Sequence, residues 1–145
     1  MQFAQEADAT AYVIRAYSAG EVVITEPLTS ELILDAAQSS NRRPLLNRRT
    51  LVRSAVVTPK LLIDDWRPQQ PNELSIQDVT VLAELEPEVL LIGTGRALTW
   101  PDHALLAPLR NKAIGFEIMD TAAACRTYNI LMFEGRRVAA ALMMI

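Results

Sequence analysis

The chain has 145 residues, half of them hydrophobic and 21% charged, a balance that excludes a disordered polymer and fits one core of ordinary domain size. Its net charge is −3, and with one cysteine (Cys125) and one histidine (His103) it has no internal disulfide and too few soft ligands for a structural zinc site. No apolar run reaches the roughly 18 residues that span a bilayer, and the start, with acids at Glu6 and Asp8 and no base before Arg15, lacks the pattern of a secretory or transit signal, so a reduced cytoplasmic setting is expected.

Residues 12–17 and 21–25 are short β-branched runs separated by Ser18-Ala-Gly20. Glycine supplies the positive φ of a tight turn, so an N-terminal hairpin is expected. A third strand is expected at Glu31-Leu-Ile-Leu34, after Pro27. Turn formers and arginines then make 37–50 an Arg-rich surface loop, in which Arg42, Arg43, Arg48 and Arg49 are candidate contacts for an acidic partner. Residues 36–63 carry six bases and no acid. Strand propensity returns over 51–57 and stops at Pro59, and 64–71 is a proline-punctuated connection whose Trp66 is expected to pack over the sheet edge. Ser75-Ile-Gln-Asp78 has the form of a capping box with Asp at its fourth position. It opens a helix with Val79, Leu82 and Leu85 on one face, ended by Pro87.

Val89-Leu-Leu-Ile92 is uniformly apolar, as a strand buried on both faces should be. Thr99-Trp-Pro-Asp102 resembles a second capping box, and Pro108 predicts a kink or two short helical pieces before the strand at 114–119. Strand, crossover and strand over 88–119 make a βαβ unit with parallel strands. Asp120 is a sound N-cap for the segment that follows. Beyond it two readings compete: a closing C-terminal hairpin, with Glu134-Gly135 between 128–133 and 137–143, or a single helix over 121–133. The hairpin is favoured. The expected fold is α/β: a single three-layer domain over 1–145 with a central mixed sheet.

Gly93-Thr-Gly95 after a buried strand invites comparison with a dinucleotide fingerprint, whose glycines admit a pyrophosphate to a helix N-terminus. Leu98 occupies the position expected to be Gly or Ala, and Pro101 delays the helix; Glu117 lies near where a ribose-binding acid would sit. A small-anion site is the milder alternative. It would use the loop from Gly93, with the backbone N–H groups of Thr94, Gly95 and Arg96, the Arg96 guanidinium, and the helix start at Asp120 and Thr121, although the Asp120 carboxylate opposes an anion. Cys125 reads as a buried small hydrophobe rather than a nucleophile, and Asp64-Asp65 as solvated acids rather than metal ligands. No Ser-His-Asp set exists, since His103 is unique and no serine sits in a G-x-S-x-G elbow. The basic segment has no aromatic residue to stack a base, which disfavours nucleic acid.

The ordered set of Val89-Leu-Leu-Ile-Gly-Thr-Gly95, Gly115-Phe-Glu-Ile-Met-Asp-Thr121, Ala124-Cys125, Thr127-Tyr-Asn129, Glu134-Gly-Arg136 and Ala140-Ala-Leu142 resembles the small α/β family that includes the mitochondrial assembly factor 3 of NADH:ubiquinone oxidoreductase (respiratory complex I). The likeness is strongest over 74–145. It implies a three-layer α/β fold and supports the closing hairpin, and it imports no active site or cofactor. It nominates Gly93, Thr94, Gly95, Asp120, Thr121 and Asn129 as a shared surface. Two departures stand out: the Arg-rich 37–50 stretch looks like an insertion, and the missing transit signal argues against a mitochondrial location. The expectation is a non-enzymatic domain that binds a protein partner, assembly-factor-like, with a small-molecule or anion site at 93–99 and 119–121 as the alternative.

Overall fold

A computed structural model describes residues 10–28 and 47–145. Two sheets organise them. Strands β1 (Val13–Ser18), β2 (Glu21–Thr25) and β3 (Arg48–Leu51) form an antiparallel sheet in that order. The β1–β2 turn is the expected hairpin, with Gly20 at φ 77°. The larger mixed sheet has the order β5-β4-β8-β6-β7. Its strands are β4 (Ala55–Val57), β5 (Leu62–Ile63), β6 (Val89–Thr94), β7 (Gly115–Met119) and β8 (Val138–Met143).

Helices cover both faces of the larger sheet. On one side lie α1 (Ile76–Glu84) and the short α2 (Ala107–Asn111), packing Val79, Leu82 and Leu109 with Trp66 against Leu90, Ile92, Ala139 and Ala141. On the other, α3 (Thr121–Phe133) lies with the small sheet, bringing Ala124, Cys125 and Tyr128 against Leu91, Ala140, Val13 and Ile24. Alternate residues of β6 and β8 thus serve opposite cores, as the two-residue period of a strand requires. The three alanines of β8 keep its side chains short on both faces, so helical layers can approach closely.

The βαβ unit is present. β6 pairs in parallel with β7, Val89 opposite Gly115 through Gly93 opposite Met119. Pro108 divides the crossover as expected: a 3-10 turn over His103–Leu106 precedes α2, with proline in its first turn. The cap of that turn is Asp102, whose Oδ1 accepts from Ala104 N at 3.0 Å. Thr99 is no cap.

The C-terminal hairpin does not form. Residues 121–133 are one helix, and β8 lies between β4 (antiparallel) and β6 (parallel). With both edges of β8 taken, the segment 128–133 has no strand to pair with. Ala124, Cys125, Tyr128 and Met132 are all buried on α3, a spacing that only a helix places on one face. Two further boundaries change. Arg48, Arg49 and Thr50 belong to β3 rather than to a loop, and the run expected at 51–57 breaks at 52–54, where the chain crosses between the sheets. There Ser54 N donates to Gln69 Oε1 and Ser54 O accepts from Trp66 N. The strand expected at Glu31–Leu34 lies outside the described residues.

The α1 capping box is complete: Ser75 Oγ accepts from Asp78 N, and Asp78 Oδ2 accepts from Ser75 N at 2.9 Å. Arg67 closes the group, donating from Nε to Asp78 Oδ1 at 3.0 Å and from its terminal nitrogen to Oδ2. Burial of Asp78 opposes its charge, but the Arg67 and Ser75 donors outweigh that and hold its carboxyl below the usual 3.8. A depressed native value means that its contribution is complete above the unfolded-state value and is lost as pH falls through the native one. Lowering pH from about 6 to about 3 should therefore reduce the urea midpoint, and Asp78→Asn should flatten that acid-side slope while lowering stability at neutral pH.

Candidate functional site

The carboxyl edge of the parallel strands is tied together by two threonines. Thr121 Oγ1 accepts the Gly95 N–H at 2.8 Å and donates to Met143 O at 2.6 Å, while Thr121 N donates to Gly95 O at 2.9 Å. One buried hydroxyl thus joins the end of β6, the end of β8 and the first turn of α3. Thr94 Oγ1 donates to Ala97 O at 2.7 Å and accepts from Thr99 N at 3.0 Å, folding 95–99 back on the strand. Gly95 takes φ 96°, where L side chains are strained. Gly93 is required for space: a Cβ there would lie 2.9 Å from Thr121 Oγ1 and 3.0 Å from its Cα.

These contacts locate each residue nominated from sequence. Gly93, Thr94, Gly95 and Thr121 come together, but the Gly95 N–H that an anion would need is already bound to Thr121. Asp120 caps α3 through Ala123 N at 2.9 Å. Arg96 is exposed at the loop start. Asn129 lies apart, on the flank of α3, where its amide donates to Ile14 O at 2.7 Å and accepts from Ile14 N at 3.0 Å. Of the arginines, Arg49 pairs with Glu26 and Asp64, and Arg48 is exposed on β3; Arg42 and Arg43 lie outside the described residues.

What the carboxyl edge displays is hydrophobic. Leu98 and Trp100 are 51% and 67% exposed on a loop whose base is fixed by the Thr94 and Thr121 hydrogen bonds. Sequence reasoning assigned Trp100 to a capping box and missed its exposure. The available signal was Pro101, which removes a backbone donor and delays the helix.

A second concavity lies at the opposite, amino edge. A cleft of ≈ 590 Å³ opens between residues 10–11, the 58–61 turn, the exit of α1 at 85–87 and the α3–β8 connection. Leu61 on its lip is 44% exposed. Arg137 Nη1 donates to Glu86 O at 3.0 Å, and Arg136 lies 3.5 Å from Glu88. This cleft was not anticipated; the Arg136-Arg137 pair just before a fully buried strand was its sequence trace.

Cys125 is buried, and desolvation is the main reason its thiol is pushed up to about 12, far from thiolate character at neutral pH. His103 belongs to the α1–α2 layer, across the central sheet from Cys125. Among the described residues no group of His, Cys, Asp and Glu has the arrangement of a metal site, and no helix is long and apolar enough to cross a membrane.

Residues 37–143 match the family described as a protein of unknown function (DUF498/DUF598), and the chain belongs to that family. It is 32% identical over 100 residues to NADH dehydrogenase (ubiquinone) 1 alpha subcomplex assembly factor 3 of Xenopus tropicalis, a match covering 68% of this chain and 54% of the relative. The Danio rerio protein of the same name is 36% identical over 100 residues, covering 67% of this chain and 56% of that one. The match thus spans about half the length of either relative. A crystal structure of a Bordetella parapertussis protein superposes with a TM-score of 0.70 at 30% identity, covering 92% of this chain and 96% of the other. The chain is therefore similar to complex I assembly factors in sequence, and the α/β fold recurs in a solved structure.

Gly93→Ala should cost about 1–3 kcal/mol, since Thr121 is bound on two sides and cannot yield; chemical denaturation measures it. Cys125 should resist alkylation in the native protein at about pH 8 and react readily once unfolded, as mass spectrometry of timed samples will register.

Proposed function

We propose that this member of the DUF498/DUF598 family is a protein-binding, assembly-factor-like domain that grips its partner through the 96–100 loop. The observation that carries the reading is the pairing of two large exposed apolar side chains, Leu98 and Trp100, with a loop base held by buried threonine hydrogen bonds. Partner anchors are enriched in Trp and Arg and act best when already ordered, because little side-chain and loop freedom is then lost on association. Arg96 adds a charge beside them. In this reading Gly93, Thr94, Gly95, Asp120 and Thr121 hold the loop in place rather than touch a ligand.

The relatives named as NADH dehydrogenase assembly factors support a subunit or assembly intermediate of an NADH dehydrogenase as the partner class. Trp100→Ala is expected to weaken association with such a subunit about thirtyfold, the roughly 2 kcal/mol of an interface anchor, without altering the circular dichroism spectrum. Val81→Ala, on the exposed side of α1, should leave affinity unchanged. Equal affinity of the Trp100 variant and the parent, measured by calorimetry against purified subunits, rules the loop out.

A further inference from the structure

The cleft at the amino edge has a composition of its own. Its wall is largely apolar, with Leu61, Leu85, Met132 and Phe133 contributing, and its volume of ≈ 590 Å³ falls within the roughly 300–1,000 Å³ of small-molecule sites. Three bases, Lys60, Arg136 and Arg137, face one acid, Glu86, on its lining. Glu86 is shared with the neighbouring concavity, where it lies 3.7 Å from Lys112. Arg136 and Arg137 are engaged with Glu88 and the Glu86 carbonyl, whereas the Lys60 ammonium has no partner among the described residues.

Magnitudes narrow the charge of an occupant. With Arg136 matched by Glu88 and Glu86 by Lys112, Lys60 and Arg137 leave a surplus of two. The C-terminal ends of α1 and α3 both open on this cleft, each worth about half a negative charge, which leaves about one net positive charge. That suits a single negative charge. It does not suit a polyphosphate, and among the described residues this edge offers no helix N-terminus to bind one. An apolar wall with one cation at its lip matches a molecule that is apolar along its length and ionised at one end.

We propose that the cleft binds an amphiphilic monoanion, an acyl chain ending in a carboxylate, with the chain along Leu61, Leu85, Met132 and Phe133 and the carboxylate at Lys60. The site is separate from the partner-binding loop, which lies at the opposite edge of the parallel strands.

The test is calorimetric titration of the full chain with dodecanoate below its micellar threshold, alongside dodecanol and dodecylammonium, with amide shifts mapped by NMR. Saturable one-to-one binding of dodecanoate is expected, with shifts at the 58–61 and 132–138 segments. Lys60→Gln should weaken it about tenfold and erase the preference over dodecanol. Leu61→Asp should weaken it at least as much. Both residues are exposed, so the parent's circular dichroism and melting temperature should be retained. Equal binding of all three amphiphiles, shifts confined to the Leu98–Trp100 edge, an unaffected Lys60 variant, or occupation by an acidic peptide but not by dodecanoate would each overturn the proposal.

Discussion

One hydroxyl sets the geometry of the molecule. Thr121 Oγ1 receives the Gly95 N–H and donates to Met143 O, fixing two parallel strand ends against the start of the helix between the sheets. Hydrogen bonding of this kind is strong because it is buried: each backbone group would otherwise be desolvated without a partner. The arrangement also demands Gly93, since any Cβ there would occupy the space of Thr121. Strand end, glycine and threonine are therefore a single unit.

Around that point the layers are held by residues suited to close approach. β8 runs at the centre of the larger sheet with every residue buried, and its short side chains let α3 pack near the strands on one face while α1 and α2 cover the other. The same helix reaches across to the small sheet with polar groups: Tyr128 Oη donates to Tyr12 O at 2.7 Å, and Arg126 Nη1 donates to Tyr17 Oη at 2.6 Å. Besides α3 and the crossing at 52–54, the sheets are linked by Gly20 N donating to Ile145 O at 2.9 Å, Tyr12 N donating to Pro59 O at 3.0 Å and the Arg49–Asp64 ion pair.

Much of the architecture was legible in local chemistry. The Gly20 turn, the Ser75–Asp78 box, the uniformly apolar β6 and the helix break at Pro108 each rest on contacts a few residues apart, and each is found. Failures came where distant partners decide. Local helix propensity would have carried the helix through 128–133, but the Glu134-Gly135 turn suggested a hairpin, and nothing near it tells that β8 will be enclosed between β4 and β6. Trp66, expected over the sheet edge, is buried in the core on the α1 side, its N–H donating to Ser54 O beside β4 and its Nε1 to Asp78 O, the second a contact that spacing does not reveal. The nominated glycines and threonines come together at one strand edge while Asn129 lies apart, and their hydrogen bonds to one another depend on side-chain directions that spacing does not encode. The amino-edge cleft is assembled from four separate segments, and no single window contains it.

The side-chain amide of Asn129 meets both the N–H and the C=O of Ile14, so it takes the place of a neighbouring strand along the outer margin of β1. Exposed margins of this type template strand addition by other chains, the first step toward aggregation and domain swapping. On the far side of the same sheet, among the described residues, β3 presents the exposed Arg48, a charge that discourages such pairing, while Arg49 is paired with Glu26 and Asp64. Among the described residues, the small sheet is thus lined on one rim by a mimic of the backbone and carries an exposed cation on the other, two devices that make strand addition costly.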